Sequence, residues 1–194
     1  MKILLTNDDG VHAEGLLELT KYLEKNHDVW VVAPNKNRSG VSHGITMTEP
    51  LRFCELDKQR FSCSGVPVDC TFNGIKGILD EKPDIVISGI NKGANLGTDI
   101  IFSGTAAAAR QSSFYNIPGI AVSLASFDGS WNYSSLADFV SKNLESLVTL
   151  CEQDIFVNIN AASLSSYKGY KFTSLSKRSY KDKVSVYNAP DGNF

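Results

Sequence analysis

The chain has 194 residues, 42% apolar and 21% charged, and its 19 basic against 21 acidic side chains leave a formal net charge of −2. That length supplies one domain whose core needs no disulfide or metal staple, and the composition excludes wholesale disorder. The charge balance argues against a duplex-DNA binder, and no apolar run approaches the roughly 20 residues that span a bilayer, so neither duplex nucleic acid nor a membrane is expected as a partner.

The N-terminal MKILLTNDDG holds one Lys, a short apolar stretch and then two acids. It lacks the long apolar region and small-residue cleavage site of an export signal, so it reads as a strand. Cys54, Cys63, Cys70 and Cys151 form no C-x-x-C pair and only three histidines accompany them. Reduced thiols in a cytoplasmic setting are therefore expected, without structural zinc.

Short apolar runs rich in β-branched residues recur at 2–6, 29–33, 85–88, 119–123 and 155–159, as strands buried on both faces of a parallel sheet require. Helical spacing appears between them. Leu16, Leu19, Tyr22 and Leu23 mark a helix over 14–25, and Val68, Phe72, Ile75 and Leu79 one over 68–81. An alanine-rich stretch marks 104–115, and Leu136, Phe139, Val140, Leu144, Leu147 and Val148 mark 136–151. The alternation predicts an α/β fold, a three-layer α/β/α Rossmann-like arrangement around a mostly parallel sheet. Residues 43–64 interrupt it and read as a β-hairpin excursion, with Thr46, Thr48 and 51–55 as its strands. Residues 161–194 are polar, tyrosine-rich and aperiodic, ending in a turn-like NAPDGNF. The predicted organisation is an α/β catalytic core over 1–160 and a C-terminal extension over 161–194.

Ligands of open α/β sheets bind beyond the carboxyl ends of the strands. The segments there are Asn7-Asp8-Asp9-Gly10 after the first strand, 34–40 after the second and 89–97 after the third, so these polar clusters are predicted to converge. Adjacent Asp8 and Asp9 either share a hard cation that relieves their repulsion or serve as a helix cap and a solvated turn acid. Ser39 and Asn91 offer two more oxygen ligands, or local turn hydrogen bonds. Residues 102–110 (FSGTAAAAR) look like a helix start capped by Ser103 or Thr105, which is either a phosphate site or an ordinary capped helix. Asp69 falls in another first turn, where the helix dipole alone accounts for it.

Several motifs fail. There is no P-loop signature, and no G-x-G-x-x-G follows the first strand. Residues 40–44 (GVSHG) match G-x-S-x-G, but a Pro34-led loop precedes them, a β-like ITMTE follows, and no histidine lies beyond His43. A serine hydrolase is thereby disfavoured. His12 and His27 read as a first-turn polar residue and a helix-end cation; His43 sits in the active-edge loop.

Four segments in order, MKILLTNDDG, APNKNRSGVSHGIT, SGVPVDC and PDIVISGINKGANLGTDIIFSGTAAAA, resemble the SurE family of survival proteins, metal-dependent 5′(3′)-nucleotidases. The resemblance is dense over 1–125. It implies hydrolysis of nucleoside monophosphates to nucleoside and phosphate, with one divalent ion per subunit, Mg²⁺ or Mn²⁺, on Asp8, Asp9, Ser39 and Asn91. It implies phosphate-facing roles for Asn95, Ser103, Gly104 and Thr105, with Asn7 nearby, and a catalytic set of Asp8, Asp9, Asn95 and Ser103. It also implies a homodimer or homotetramer formed through exchanged C-terminal segments. Members of the family are usually longer by several tens of residues, so 161–194 is expected to be an incomplete part of that arm. Two other classes compete with this reading: a phosphoacceptor module, which needs an acid at the end of the third strand where this chain has Ser88-Gly89-Ile90-Asn91, and a nucleotide-binding protein without catalysis.

Overall fold

The computed structural model describes residues 1–187 and Pro190. The elements in order are β1 (Lys2–Thr6), α1 (Glu14–Leu23), β2 (Asp28–Pro34), β3 (Phe53–Asp57), β4 (Arg60–Cys63), α2 (Pro67–Asn73), a π turn (Gly74–Ile78), β5 (Ile85–Lys92), a 3₁₀ turn (Gly97–Ile101), α3 (Gly104–Ser113), β6 (Gly119–Ala125), α4 (Tyr133–Val148) and β7 (Val157–Ala162).

One seven-stranded sheet runs β3-β4-β2-β1-β5-β6-β7. Every pairing is parallel except β3 with β4. Alternate residues of the central strands feed opposite faces. Ile3 and Leu5 join Leu16, Leu19, Leu136 and Val140 under α1 and α4. Leu4, Val32 and Val86 join Cys63 and Cys70 on the other side, the α2 side. Burial on both faces explains why these strands read as continuous apolar runs and not as alternating ones.

Four expectations are corrected in detail. The helix over 68–81 is α2 followed by a π turn, with Gly74 and Gly77 in its last stretch. The hairpin is β3–β4, and Thr46 and Thr48 lie outside it. It is no detached excursion either, because β4 pairs in parallel with β2 and extends the main sheet. The third strand does not stop at Ser88 but continues to Lys92. The last strand begins at Val157 and runs past the expected end of the core, to Ala162.

Residues 163–187 form no helix or strand. They are tied back at a few points. Tyr167 packs edge-on against Phe139 and donates its hydroxyl to Ala162 O at 2.9 Å. Arg178 N–H donates to Thr98 Oγ1 at 3.3 Å, and the Arg178 and Tyr180 side chains reach Asp99. The terminal turn expected over 188–194 lies, Pro190 apart, outside the described residues. Among the described residues no helix is long and apolar enough to cross a membrane.

Candidate active site

The sheet order places β1 in the middle, with β2 on one side and β5 on the other. The chain therefore reverses its winding direction at β1, and a crevice opens at the carboxyl ends of the strands there. The three polar clusters meet at that crevice, and specific hydrogen bonds join them. Arg38 N–H donates to Asp8 O at 2.7 Å, bringing the loop after β2 against the end of β1. Lys92 N–H donates to Asp9 Oδ2 at 2.8 Å, tying in the end of β5. Asn37 Nδ2 reaches Asp9 Oδ1 at 3.3 Å while its Oδ1 accepts from Ser39 N–H at 2.9 Å, so one asparagine links Asp9 to the Ser39 turn.

Asp8 is 3% exposed. Its Oδ1 accepts from Thr105 Oγ1 at 2.7 Å and its Oδ2 from Thr105 N–H at 3.2 Å. The positive end of α3 thus faces this carboxylate. Gly104 permits the approach: a Cβ there would sit 3.0 Å from Asp8 Cβ and 3.1 Å from Asp8 Oδ2. Even so, burial outweighs these donors and pushes the Asp8 carboxyl above its ordinary pKa. Burial also raises Asp9, against the Lys92 N–H and with the added repulsion of Asp8. The Tyr133 phenol beside them is pushed up to about 12, by burial and then by Asp9 and Glu14. The pair is therefore held where negative charge is unfavourable without a cation.

The oxygens present suit a hard divalent ion. Asn91 donates Nδ2 to Gly93 O at 2.8 Å, which leaves its Oδ1 as the free acceptor of the side chain. Ser39 is exposed, and among the described residues its hydroxyl has no partner. Among the described residues no three His, Cys, Asp or Glu converge at one place, the crevice included. What the crevice offers a hard ion is an acid pair supplemented by neutral oxygens.

Ser103 is the N-cap of α3, its Oγ accepting from Ala106 N–H at 3.0 Å. Its hydroxyl hydrogen is left to donate elsewhere. Asn95 is buried, its Nδ2 donating to Ser123 Oγ at 2.7 Å. Two residues of the expected set carry hydrogen bonds within the protein. Thr105 is completely buried with its hydroxyl on Asp8, so it stands behind the carboxylate. Asn7 is likewise buried and braces its own turn, Nδ2 to Gly10 O at 2.9 Å and Gly10 N–H to Oδ1 at 3.1 Å.

His43 is also accounted for. Arg110 Nε and Nη2 approach its Nδ1 at 3.1 and 2.8 Å, so Nδ1 is the acceptor and the proton sits on Nε2, 2.8 Å from Gln111 Oε1. The ring pins the 39–44 loop to α3. Asp69 does more than meet a dipole: it accepts from Val66 N–H at 2.9 Å and holds Thr46 by backbone and hydroxyl at 3.0 and 2.6 Å.

Sequence reasoning did not find the backbone donors Arg38 and Lys92, the Asp8-directed task of Thr105, or the residues that hold Asn95. Backbone groups leave no signal in side-chain motifs. The one visible hint for Asn95 was a pair of asparagines, Asn158 and Asn160, in an otherwise apolar strand.

The fold and the crevice define an α/β protein whose oxygen-bearing loops gather at the switch point of a mostly parallel sheet. The chain belongs to the family described as survival protein SurE, whose profile matches residues 3–182. The protein called 5′-nucleotidase SurE in Treponema pallidum (strain Nichols) is 47% identical over 174 residues, 86% of this chain and 93% of that one. The 5′-nucleotidase SurE of Thermosipho melanesiensis is 42% identical over 199 residues, 99% of this chain and 78% of that one. The crystal structure of the SurE protein from Aquifex aeolicus superposes with a TM-score of 0.88 at 36% identity, covering 100% of this chain and 79% of that one.

Proposed function

We propose that this chain hydrolyses nucleoside 5′-monophosphates, and 3′-monophosphates as a second class, to nucleoside and phosphate, with one Mg²⁺ or Mn²⁺ per subunit held by Asp8, Asp9, Ser39 and Asn91. The observation that carries the reading is the adjacent acid pair at the strand switch, Asp8 buried and Asp9 half-buried beside the Lys92 N–H. The relatives named 5′-nucleotidase support the substrate class.

A divalent ion in such a site supplies charge for the phosphoryl oxygens and lowers the pKa of a water. The chain supplies the rest. Ser103 donates its hydroxyl hydrogen, and Asn95 its second amide hydrogen, to the phosphoryl group. These fixed donors orient the ester and stabilise the charge that develops on it. Gly104, lacking a side chain, leaves the helix end open beside Asp8. Thr105 keeps the Asp8 carboxylate turned, and Asn7 fixes the turn that carries it.

The test is phosphate release from a panel of nucleoside monophosphates with Mn²⁺ or Mg²⁺. Chelator is expected to stop turnover, and restored ion to recover it. Tight nucleotide binding without turnover in either ion would instead establish the non-catalytic class.

Thr105→Val removes the 2.7 Å hydrogen bond to Asp8 and keeps the shape. It is expected to weaken Mn²⁺ binding by about 10–100-fold, the usual cost of losing the partner that orients a ligand. Titration calorimetry checks this; unchanged affinity would detach Thr105 from the site.

We also read 1–160 as the catalytic core and 161–194 as an extension that takes part in a homodimer or homotetramer. Phe172, Val184 and Tyr187 are exposed on it at 76%, 91% and 81%, apolar surface of a kind that oligomer contacts cover. Sedimentation of the chain and of a version ending at 162 tests this. The four free thiols agree with a cytoplasmic setting.

A further inference from the structure

Asn95 stands in a stretch with little structure of its own. Gly93 and Gly97 flank it at φ +127° and +53°, and the residues between them belong to no helix or strand. Yet Asn95 is buried, and its backbone is fully engaged from one direction. Asn160 Oδ1 accepts from Asn95 N–H at 2.7 Å, and Asn160 Nδ2 donates to Asn95 O at 3.1 Å. One side-chain amide thus pairs with both polar groups of one residue, as a neighbouring strand would. Asn158, two positions earlier on the same face of β7, adds a second donor to Asn95 O at 3.0 Å. Ser123 on β6 takes the Asn95 side chain at 2.7 Å. Gly93 N–H is held by Leu124 O at 2.9 Å. β6 and β7 are paired in register here, Ser123 opposite Asn160, so the groups that hold Asn95 sit on one rigid edge.

We infer that Asn160 is a positioning residue for the reaction, fixing Asn95 as an extra strand residue so that its side chain meets the phosphoryl group. The inference rests on the phosphate-facing role of Asn95 proposed above. Its physical basis is conformational. A segment between two glycines samples many backbone states, and fixing a residue against that freedom needs directional contacts. The Asn160 amide provides two. An apolar residue in place of Asn160 would cover Asn95 without orienting it, leaving its N–H unpaired and its carbonyl on Asn158 alone.

The experiment uses the full chain with Mn²⁺ and a nucleoside monophosphate. Asn160→Ala is expected to lower kcat/KM by about 10–100-fold, since a misplacement near 1 Å costs up to about 10²-fold. Asn160→Asp keeps the size and the acceptor but loses the donor to Asn95 O, and is expected to fall as well. In an Asn95→Ala background, Asn160→Ala is expected to cost nothing further, because both changes remove one function. Amide exchange gives a readout that needs no turnover: the Asn95 N–H is protected in the wild type and loses that protection in Asn160→Ala. Wild-type kcat/KM in both Asn160 variants, or a full additional loss on top of Asn95→Ala, overturns the inference. Wild-type turnover in Asn95→Ala alone removes the role of Asn95 and with it the inference. A wild-type chain that never releases phosphate identifies the failure as one of the proposed activity, and exchange that leaves Asn95 equally protected in Asn160→Ala refutes the clamp even then.

Discussion

Asp8→Asn is expected to lower phosphate release by about 10³-fold, because a bound ion's stabilisation of a phosphoryl transition state is worth several kcal/mol and about 4 kcal/mol is three decades in rate. Asp9→Asn is expected to do the same, since both carboxylates belong to the proposed ligand set. Neither change should disturb the fold, and the electrostatics give a second test. Burial raises the Asp8 carboxyl above its ordinary value. A group raised in the folded state favours folding below its unfolded pKa, and that contribution is lost as pH rises through the folded value. Metal-free wild type therefore carries a penalty at neutral pH that asparagine, a stand-in for the protonated acid, lacks. In chelator at pH 7, Asp8→Asn is expected to melt no lower than wild type, and the difference between them to shift toward wild type as the pH falls below about 4, where the carboxyl becomes protonated in the unfolded chain too. Adding Mn²⁺ should reverse the neutral-pH order, because binding to the native state alone raises its stability. Turnover retained in both aspartate variants would sink the metal assignment. A variant that lost activity and also melted far below wild type in chelator would show that the acids serve the fold first.

The sequence was most readable where local pattern and tertiary role coincide. β1 has the bounds its apolar run predicts, 2–6, because a central strand buried on both faces needs nothing except that run. Asp8 and Asp9 follow it after a single residue, Asn7, so their place at the carboxyl edge comes from topology alone. Readability failed where a tertiary contact overrides local preference. The periodicity over 68–81 persists through the chain's change from α to π winding at Gly74, where a Cβ would lie 2.7 Å from Leu4 Cδ2. The sheet decides that break, not the helix. A hydroxyl at a helix start suits a phosphate donor; that the Thr105 hydroxyl also holds Asp8 depends on two segments nearly a hundred residues apart. The hold on Asn95 was hidden for the same reason. Strand periodicity reports which faces are apolar, not that two asparagines on β7 pair with a loop.

The end of β5 is the strongest case of this kind. Gly89 interrupts the apolar run after Ser88, and polar residues follow from Asn91, while the strand goes on to Lys92. The register explains how. Ser88 is opposite Ala121 but Asn91 is opposite Ser123, so β5 carries one residue more than β6 across the gap. Such bulges turn a strand and re-aim the side chains beyond it; here the Lys92 N–H beyond the bulge reaches Asp9, and Asn91 beside it turns its amide to Gly93 O. Gly89 permits the bulge. Its φ is +141°, and a Cβ would fall 2.3 Å from Val122 O, a backbone atom that cannot step aside. Gly89→Ala is therefore expected to cost about 3 kcal/mol of unfolding free energy, combining backbone strain of about 1–3 kcal/mol with overpacking of similar size. Urea titration should show a lower midpoint with an unchanged slope. The folded fraction should also lose more than about tenfold in kcat/KM, because small displacements of catalytic groups are costly, and Mn²⁺ affinity should drop with it as Asn91 moves. A stability loss within about 0.5 kcal/mol, the range of an ordinary surface substitution, would show that the sheet absorbs the extra carbon and that the bulge does not depend on glycine. A full stability loss with wild-type turnover and Mn²⁺ affinity in the remaining folded protein would separate the bulge from the site and leave Asn91 oriented by its own hydrogen bond to Gly93.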